Sequence, residues 1–133
     1  MVLAEILHAH LPRVGPDSTV RDAVDMMDIY QFPALVITDG DHKVLGVLTE
    51  GDLCRAIQQQ SGLMPLASEA ALKFATKEPI TARLEMEVSD ALHLMLSRSI
   101  TILPVLNGTD FAGIVLRVDL MQAMMMDLAG AQQ

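Results

Sequence analysis

Thr49 and Asp52 stand three residues apart, where an apolar run gives way to a helical pattern. A hydroxyl and a carboxylate so placed can serve a ligand at a helix start, or close a capping box that needs none. The motif alone does not choose. The same frame recurs about 67 residues later, with Asp119 for Asp52 and Leu116 for Thr49. Leu116 has no hydroxyl to cap with, yet the carboxylate is still there, which tilts the balance toward a ligand. His8 and His10 raise the question of a metal. No cysteine or carboxylate set with ligand spacing accompanies them, so solvated imidazoles are expected. His42 falls in a turn and His93 opposite an apolar stripe, both surface positions. Cys54 lies beside the motif, facing away from its helix's apolar stripe, where most cysteines are unreactive. There is no nucleophile–base pair and no Gly-rich phosphate cradle, so the chain is expected to bind rather than catalyse.

These residues sit inside a repeat. Gly46-Val47-Leu48-Thr49-Glu50-Gly51-Asp52-Leu53 is answered by Gly113-Ile114-Val115-Leu116-Arg117-Val118-Asp119-Leu120. Upstream, Val20, Asp22, Ala23 and Met27 are answered by Val88, Asp90, Ala91 and Met95. Two copies of a whole supersecondary unit predict packing about a pseudo-two-fold axis, with paired clefts where small ligands bind.

Each copy reads strand, helix, strand, strand, helix. Pro16 to Thr19 closes a short extended segment, and Thr19 with Asp22 caps the first helix. Val20, Ala23, Val24 and Met27 form its buried stripe, repeated by Val88, Ala91, Leu92 and Met95. Ala34 to Thr38 and Val44 to Thr49 are strands around Asp39-Gly40-Asp41-His42, with Asp-Gly supplying the positive φ. Ile102 to Leu106 and Phe111 to Leu116 repeat them around Asn107-Gly108. Closing helices begin near Glu50 and Arg117, with stripes Leu53, Ala56, Ile57 and Leu120, Ala123, Met124. Gln58 to Pro65 reads as a polar linker. A short helix follows over Ser68 to Thr76, capped by Ser68, with Leu3 to His10 as its counterpart. The strands are dense in Val, Ile and Leu, so both sheet faces are expected to be covered. The fold class is α/β, a β-α-β-β-α unit twice, over 1–62 and 63–133.

With 133 residues, half of them apolar, the chain can bury a real core. No apolar stretch reaches the ~20 residues of a membrane span, and no basic-then-apolar leader opens it, so a cytoplasmic protein is expected. One cysteine excludes an internal disulfide. A net charge of −8 argues against nucleic acid, and the absence of tryptophan removes stacking platforms. The run Met124-Met125-Met126 exceeds what one helix face can bury, which implies a partner surface.

A Gly-x-x-Thr-x-x-Asp-Leu segment after a hairpin, opening a helix, in tandem, resembles a cystathionine-β-synthase (CBS) domain pair, or Bateman module. The likeness covers nearly the whole chain. Val2 to Val14 and Thr76-Lys77-Glu78-Pro79-Ile80-Thr81 are similar to the lead-ins of the two domains, and Leu103-Pro104-Val105-Leu106-Asn107-Gly108 to the signature strand. The resemblance implies a regulatory module that binds an adenosine ligand (AMP, ADP, ATP or S-adenosylmethionine) in the cleft between its repeats. By that likeness Asp52 holds the ribose hydroxyls, Thr49 a phosphate oxygen, and Val47 the base or ribose. Thr76, Lys77 and Ile80, with Ile100 and Thr101, would form the base pocket from the other copy. Lys77 is the preferred phosphate partner, ahead of Arg98, Arg13 and Lys43. The second site would use Ile114 and Asp119 with Leu11-Pro12 and Phe32-Pro33. It departs from the pattern at Leu116, as copy one does at Val36 where copy two has Pro104, and the Asp119 site is expected to be weak or empty. No metal or resident cofactor is implied. A homodimer is implied through the closing helices, including Met121, Met124, Met125 and Met126. The competing readings are a structural dimerisation module with vestigial sites, and a metal or redox sensor built on the histidines and Cys54.

Overall fold

The computed structural model describes residues 1–12, 14–59 and 63–131. The chain divides into two compact units, Pro12–Pro79 and a second that joins Met1–Leu11 to Ile80–Gln133.

The first unit runs α1 (Val20–Tyr30), β1 (Ala34–Thr38), β2 (Val44–Thr49), α2 (Glu50–Gln59), α3 (Leu63–Ser68), a 3-10 turn (Ala71–Phe74) and β3 (Thr76–Lys77). Its sheet has the order β1-β2-β3, antiparallel throughout. α1 starts where the sequence says. Thr19 Oγ1 accepts from Asp22 N at 3.1 Å, and the Asp22 carboxylate accepts from Thr19 N at 2.9 Å. It stops at Gln31, whose φ of 57° breaks the helical hydrogen-bond series. Val20, Ala23 and Met27 are buried against Leu35, Ile37, Leu48, Leu53 and Ala56. Two members of the expected stripes are not. Val24 is 40% exposed and Ile57 46%, because α1 and α2 turn those edges outward beside each other.

Four local expectations are corrected. The helix expected over Ser68 to Thr76 is broken, since Ser68 ends α3 and the later turn has Ala70 as its uncapped start. The cause is competition for backbone groups. Val20 N donates to Glu69 O at 2.9 Å and Ala71 N to Ser18 O at 2.8 Å, which holds Ala70 extended in a bridge to Thr19, just ahead of α1. In the first hairpin the positive φ falls on His42 (63°) rather than Gly40. Asp39 sets this turn by accepting from Asp41 N at 2.8 Å and Lys43 N at 3.0 Å. In the second hairpin Gly108 does take positive φ, at 64°. Ahead of α1 no strand forms among the described residues; Val14 is buried and its carbonyl accepts from Thr38 N at 2.9 Å. The expected linker over Gln58 to Pro65 overlaps both α2 and α3, and 60–62 lie outside the described residues.

The second unit runs from a 3-10 turn (Leu3–Glu5) to β4 (Ala82–Arg83), α4 (Val88–Ser97), β5 (Ile102–Asn107), β6 (Asp110–Leu116) and α5 (Arg117–Ala131). β4 pairs parallel to β5, and β5 antiparallel to β6. α4 has no side-chain cap, and Val88 N donates instead to Met1 O at 2.9 Å. Leu3 N reaches Met86 O and Ala4 N reaches Leu84 O, each at 3.0 Å. These bonds leave only one short turn where Leu3 to His10 reads as a helix. Leu3 is fully buried with Met95, Leu103, Val115 and Leu120, a burial that contributes about 1.5–3 kcal/mol.

Candidate ligand-binding motifs

At the β2–α2 junction the capping box is formed. Thr49 N donates to Asp52 Oδ2 at 2.9 Å, and Asp52 N to Thr49 Oγ1 at 3.1 Å. Glu50 N is taken by Pro33 O at 3.0 Å, which ties β1's approach to the start of α2. The other carboxylate oxygen, Asp52 Oδ1, accepts from Arg55 Nη2 at 2.7 Å. Asp52 is 15% exposed and Arg55 65%. An ion pair that open to water contributes ~0–1 kcal/mol, so Oδ1 is the easily exchanged acceptor and Oδ2 the fixed one.

Beside this junction, β3 sets Thr76 opposite Val47 and Lys77 opposite Gly46. Gly46 makes the approach feasible, since a Cβ there would stand 3.0 Å from Thr76 O and 3.1 Å from Ala75 Cβ. Thr76 and Lys77, expected from the other copy, therefore fold with the first unit's sheet. Val47, Thr49, Asp52, Thr76 and Lys77 lie in one unit, whereas Ile80, Ile100 and Thr101 lie in the other. Val47 is buried, Thr76 and Lys77 are exposed, and Ile80 and Ile100 pack on the second core.

The β6–α5 junction is built differently. Leu116 N donates to Asp119 Oδ2 at 2.8 Å, so the carboxylate half of the box survives without a hydroxyl. Asp119 thus has a structural role of its own, and its presence no longer tilts the reading toward a ligand. The same Oδ2 lies 2.9 Å from His8 Nε2. His8 is not simply a solvated imidazole. Its backbone exchanges two hydrogen bonds with Ile114, of 2.9 and 3.1 Å, the bridge that Thr76 makes opposite Val47 in the other unit. The register of the two lead-ins is the signal that could have found it. Pro12, Phe32 and Pro33, expected beside Asp119, are half-buried in the first unit, where Phe32 stacks on Tyr30 at 6.2 Å between ring centroids.

The described residues hold no group of three or more His, Cys, Asp or Glu suited to a metal. Cys54 is exposed, and with Val24, Met27, Leu53 and Ile57 it lines an α1–α2 groove of about 380 Å³, rimmed by Asp28 and Glu50. Sequence reasoning missed this groove by placing Val24 and Ile57 inside. Of the candidate cations, Arg98 is exposed at the end of α4, Lys43 sits at the first hairpin, and Arg13 lies outside the described residues. No described helix is long and apolar enough to cross a membrane.

Residues 3–59 and 70–126 each match the family model of the CBS domain. Arabinose 5-phosphate isomerase KdsD of Yersinia pestis is 30% identical over 123 residues, which cover 91% of this chain and 37% of that enzyme. Across three curated relatives, the chain spans 22% to 37% of their length. A solved CBS-domain containing protein of Agrobacterium tumefaciens superposes with a TM-score of 0.82 at 24% identity, covering 93% of this chain and 99% of that one. CBSX2 in complex with AMP superposes with a TM-score of 0.82 at 21% identity, covering 94% and 96%. At such identities the likeness is one of fold.

Proposed function

The chain belongs to the CBS-domain family and carries two copies of this regulatory module, and on that premise we propose that it senses an adenosine nucleotide and passes occupancy to a partner protein. The observation that carries the reading is the split employment of Asp52. Its Oδ2 is held by Thr49 N, which fixes the carboxylate, while Oδ1 is held only by exposed Arg55. One ribose hydroxyl can replace the guanidinium at Oδ1 and the other can take the second acceptor direction of Oδ2, so the cap stays intact. Thr49 Oγ1 accepts from Asp52 N but still has a proton to donate to a phosphate oxygen at the start of α2. Capping and binding then coexist in the same two residues. Lys77, exposed on β3 beside this junction, is the proposed phosphate partner. The AMP held by CBSX2 supports the choice of ligand class. Catalysis is assigned to the partner rather than to this chain.

Calorimetry with AMP on the wild type and Asp52→Ala tests this. The expected result is one site per chain, lost in the variant. Binding that survives Asp52→Ala would reduce the motif to a helix cap.

A second reading, assembly without a ligand, is favoured by one observation. Leu96, Val118, Met121, Met125 and Met126 are all 49% or more exposed on α4 and α5, and Ile29, Tyr30 and Ile57 are 46% or more on α1 and α2. Met124, by contrast, packs partly on its own core. Faces this apolar seek cover. The proposed cover is a second copy of the chain, which serves a sensing module equally well.

A further inference from the structure

We propose that His8 is an internal latch on the second repeat: its imidazole withholds Asp119 from an incoming diol until the ring swings away. This rests on the adenosine reading above and sets the regulation of that module. A bidentate diol needs one acceptor direction on each carboxylate oxygen, and an oxygen offers two. Asp119 Oδ2 already takes Leu116 N at 2.8 Å and, with the Nε2 proton directed at it, His8 at 2.9 Å. That oxygen is full. Asp52 differs, because its second partner is Arg55 on the other oxygen, from its own helix.

The placement of His8 comes from the backbone rather than the ring. Two hydrogen bonds to Ile114 hold the segment along β6, and Gly113 clears the space, since a Cβ there would collide with His8 O and the Leu7 side chain. In the matching position opposite Val47 the first unit has Thr76. The His8 side chain is 42% exposed. The two bonds to Ile114 are made by the His8 backbone, so a swing of the ring off Asp119 does not require breaking them. The contact spans 111 residues of sequence, so it also fastens the start of the chain to α5.

The test uses the full chain, comparing wild type with His8→Ala and His8→Gln. The glutamine keeps a donor at the tip, and matching thermal unfolding shows that each variant is folded. The first readout is carbodiimide labelling of Asp119, followed by mass spectrometry. The expected result is a severalfold faster reaction in His8→Ala and a wild-type rate in His8→Gln. The second readout is calorimetry with AMP, where His8→Ala is expected to add a second site per chain, about one to two decades weaker than the first because Leu116 still offers no hydroxyl. Unchanged labelling overturns the latch. Faster labelling without a second site, while the Asp52 site still binds, overturns it too. If the wild type takes up no AMP at all, the functional proposal falls, and the labelling rates alone decide for or against the latch.

Discussion

Arg55 Nη2 lies 2.7 Å from Asp52 Oδ1, and the pair is made one turn apart on the same helix. The guanidinium therefore competes with any hydroxyl for that oxygen while adding little to the fold. Arg55→Ala should tighten AMP binding by up to about fivefold, the equivalent of ~1 kcal/mol. Stability should move by no more than about 0.5 kcal/mol. Calorimetry and urea titration read the two effects. A tenfold loss of affinity would instead make Arg55 a ligand contact.

The two motif carboxylates should behave unequally. Asp52→Ala removes a cap and should cost about 1 kcal/mol of stability together with AMP binding. Asp119→Ala should leave binding nearly unchanged, since its oxygen is already occupied and Leu116 offers no hydroxyl. A missing hydrogen bond to a charged group is worth about 1.5–3 kcal/mol, one to two decades of affinity. Equal losses from the two variants would contradict this asymmetry.

Three glycines give a graded series for packing. Nothing lies within 4 Å of a Cβ built at Gly40, so Gly40→Ala should be close to neutral. Gly46→Ala meets Thr76 O at 3.0 Å and should cost about 1 kcal/mol. Gly113→Ala drives into the His8 carbonyl and should cost about 3 kcal/mol or more, with loss of the His8 bridge. Denaturant unfolding ranks them, and a different order would mean that the lead-in segments pack otherwise.

Assembly is tested by charge on the exposed methionines. Met121→Glu with Met125→Glu should turn a dimer into a monomer in sedimentation at micromolar concentration. A wild type already monomeric there sinks the dimer.

Affinity for ATP should fall as salt rises, because an anion entering a protein of net charge −8 depends on exposed cations such as Lys77, screened beyond ~10 Å at 0.1 M. Lys77→Gln should flatten that dependence. Affinity unmoved by salt would point to recognition of the adenosine moiety alone.

The helices and hairpins were legible because their signals are local. Thr19 and Asp22 cap within one turn, and the buried apolar residues of β1 and β5, Pro104 among them, run without interruption. The Thr49/Asp52 box was legible for the same reason. What failed was decided at a distance. Glu69 and Ala71 look helical until Val20 and Ser18 take their backbone groups. His8 reads as a surface imidazole because its partner is 111 residues away. Val24 and Ile57 fit an apolar stripe, and only the spacing of α1 and α2 shows that the stripe is wider than the core beneath it.

The second unit is assembled from two separated stretches, which sets an order of events on the ribosome. Pro12–Pro79 is continuous and can complete its sheet, β3 included, as soon as it has emerged. Met1–Leu11 cannot, because Leu84, Met86, Ile114 and Asp119 are made after everything between. At about 5–20 residues per second the wait lasts on the order of seconds. Throughout it Leu3, destined for complete burial, remains open to water. Its burial waits for α4, β5, β6 and α5, which supply Met95, Leu103, Val115 and Leu120.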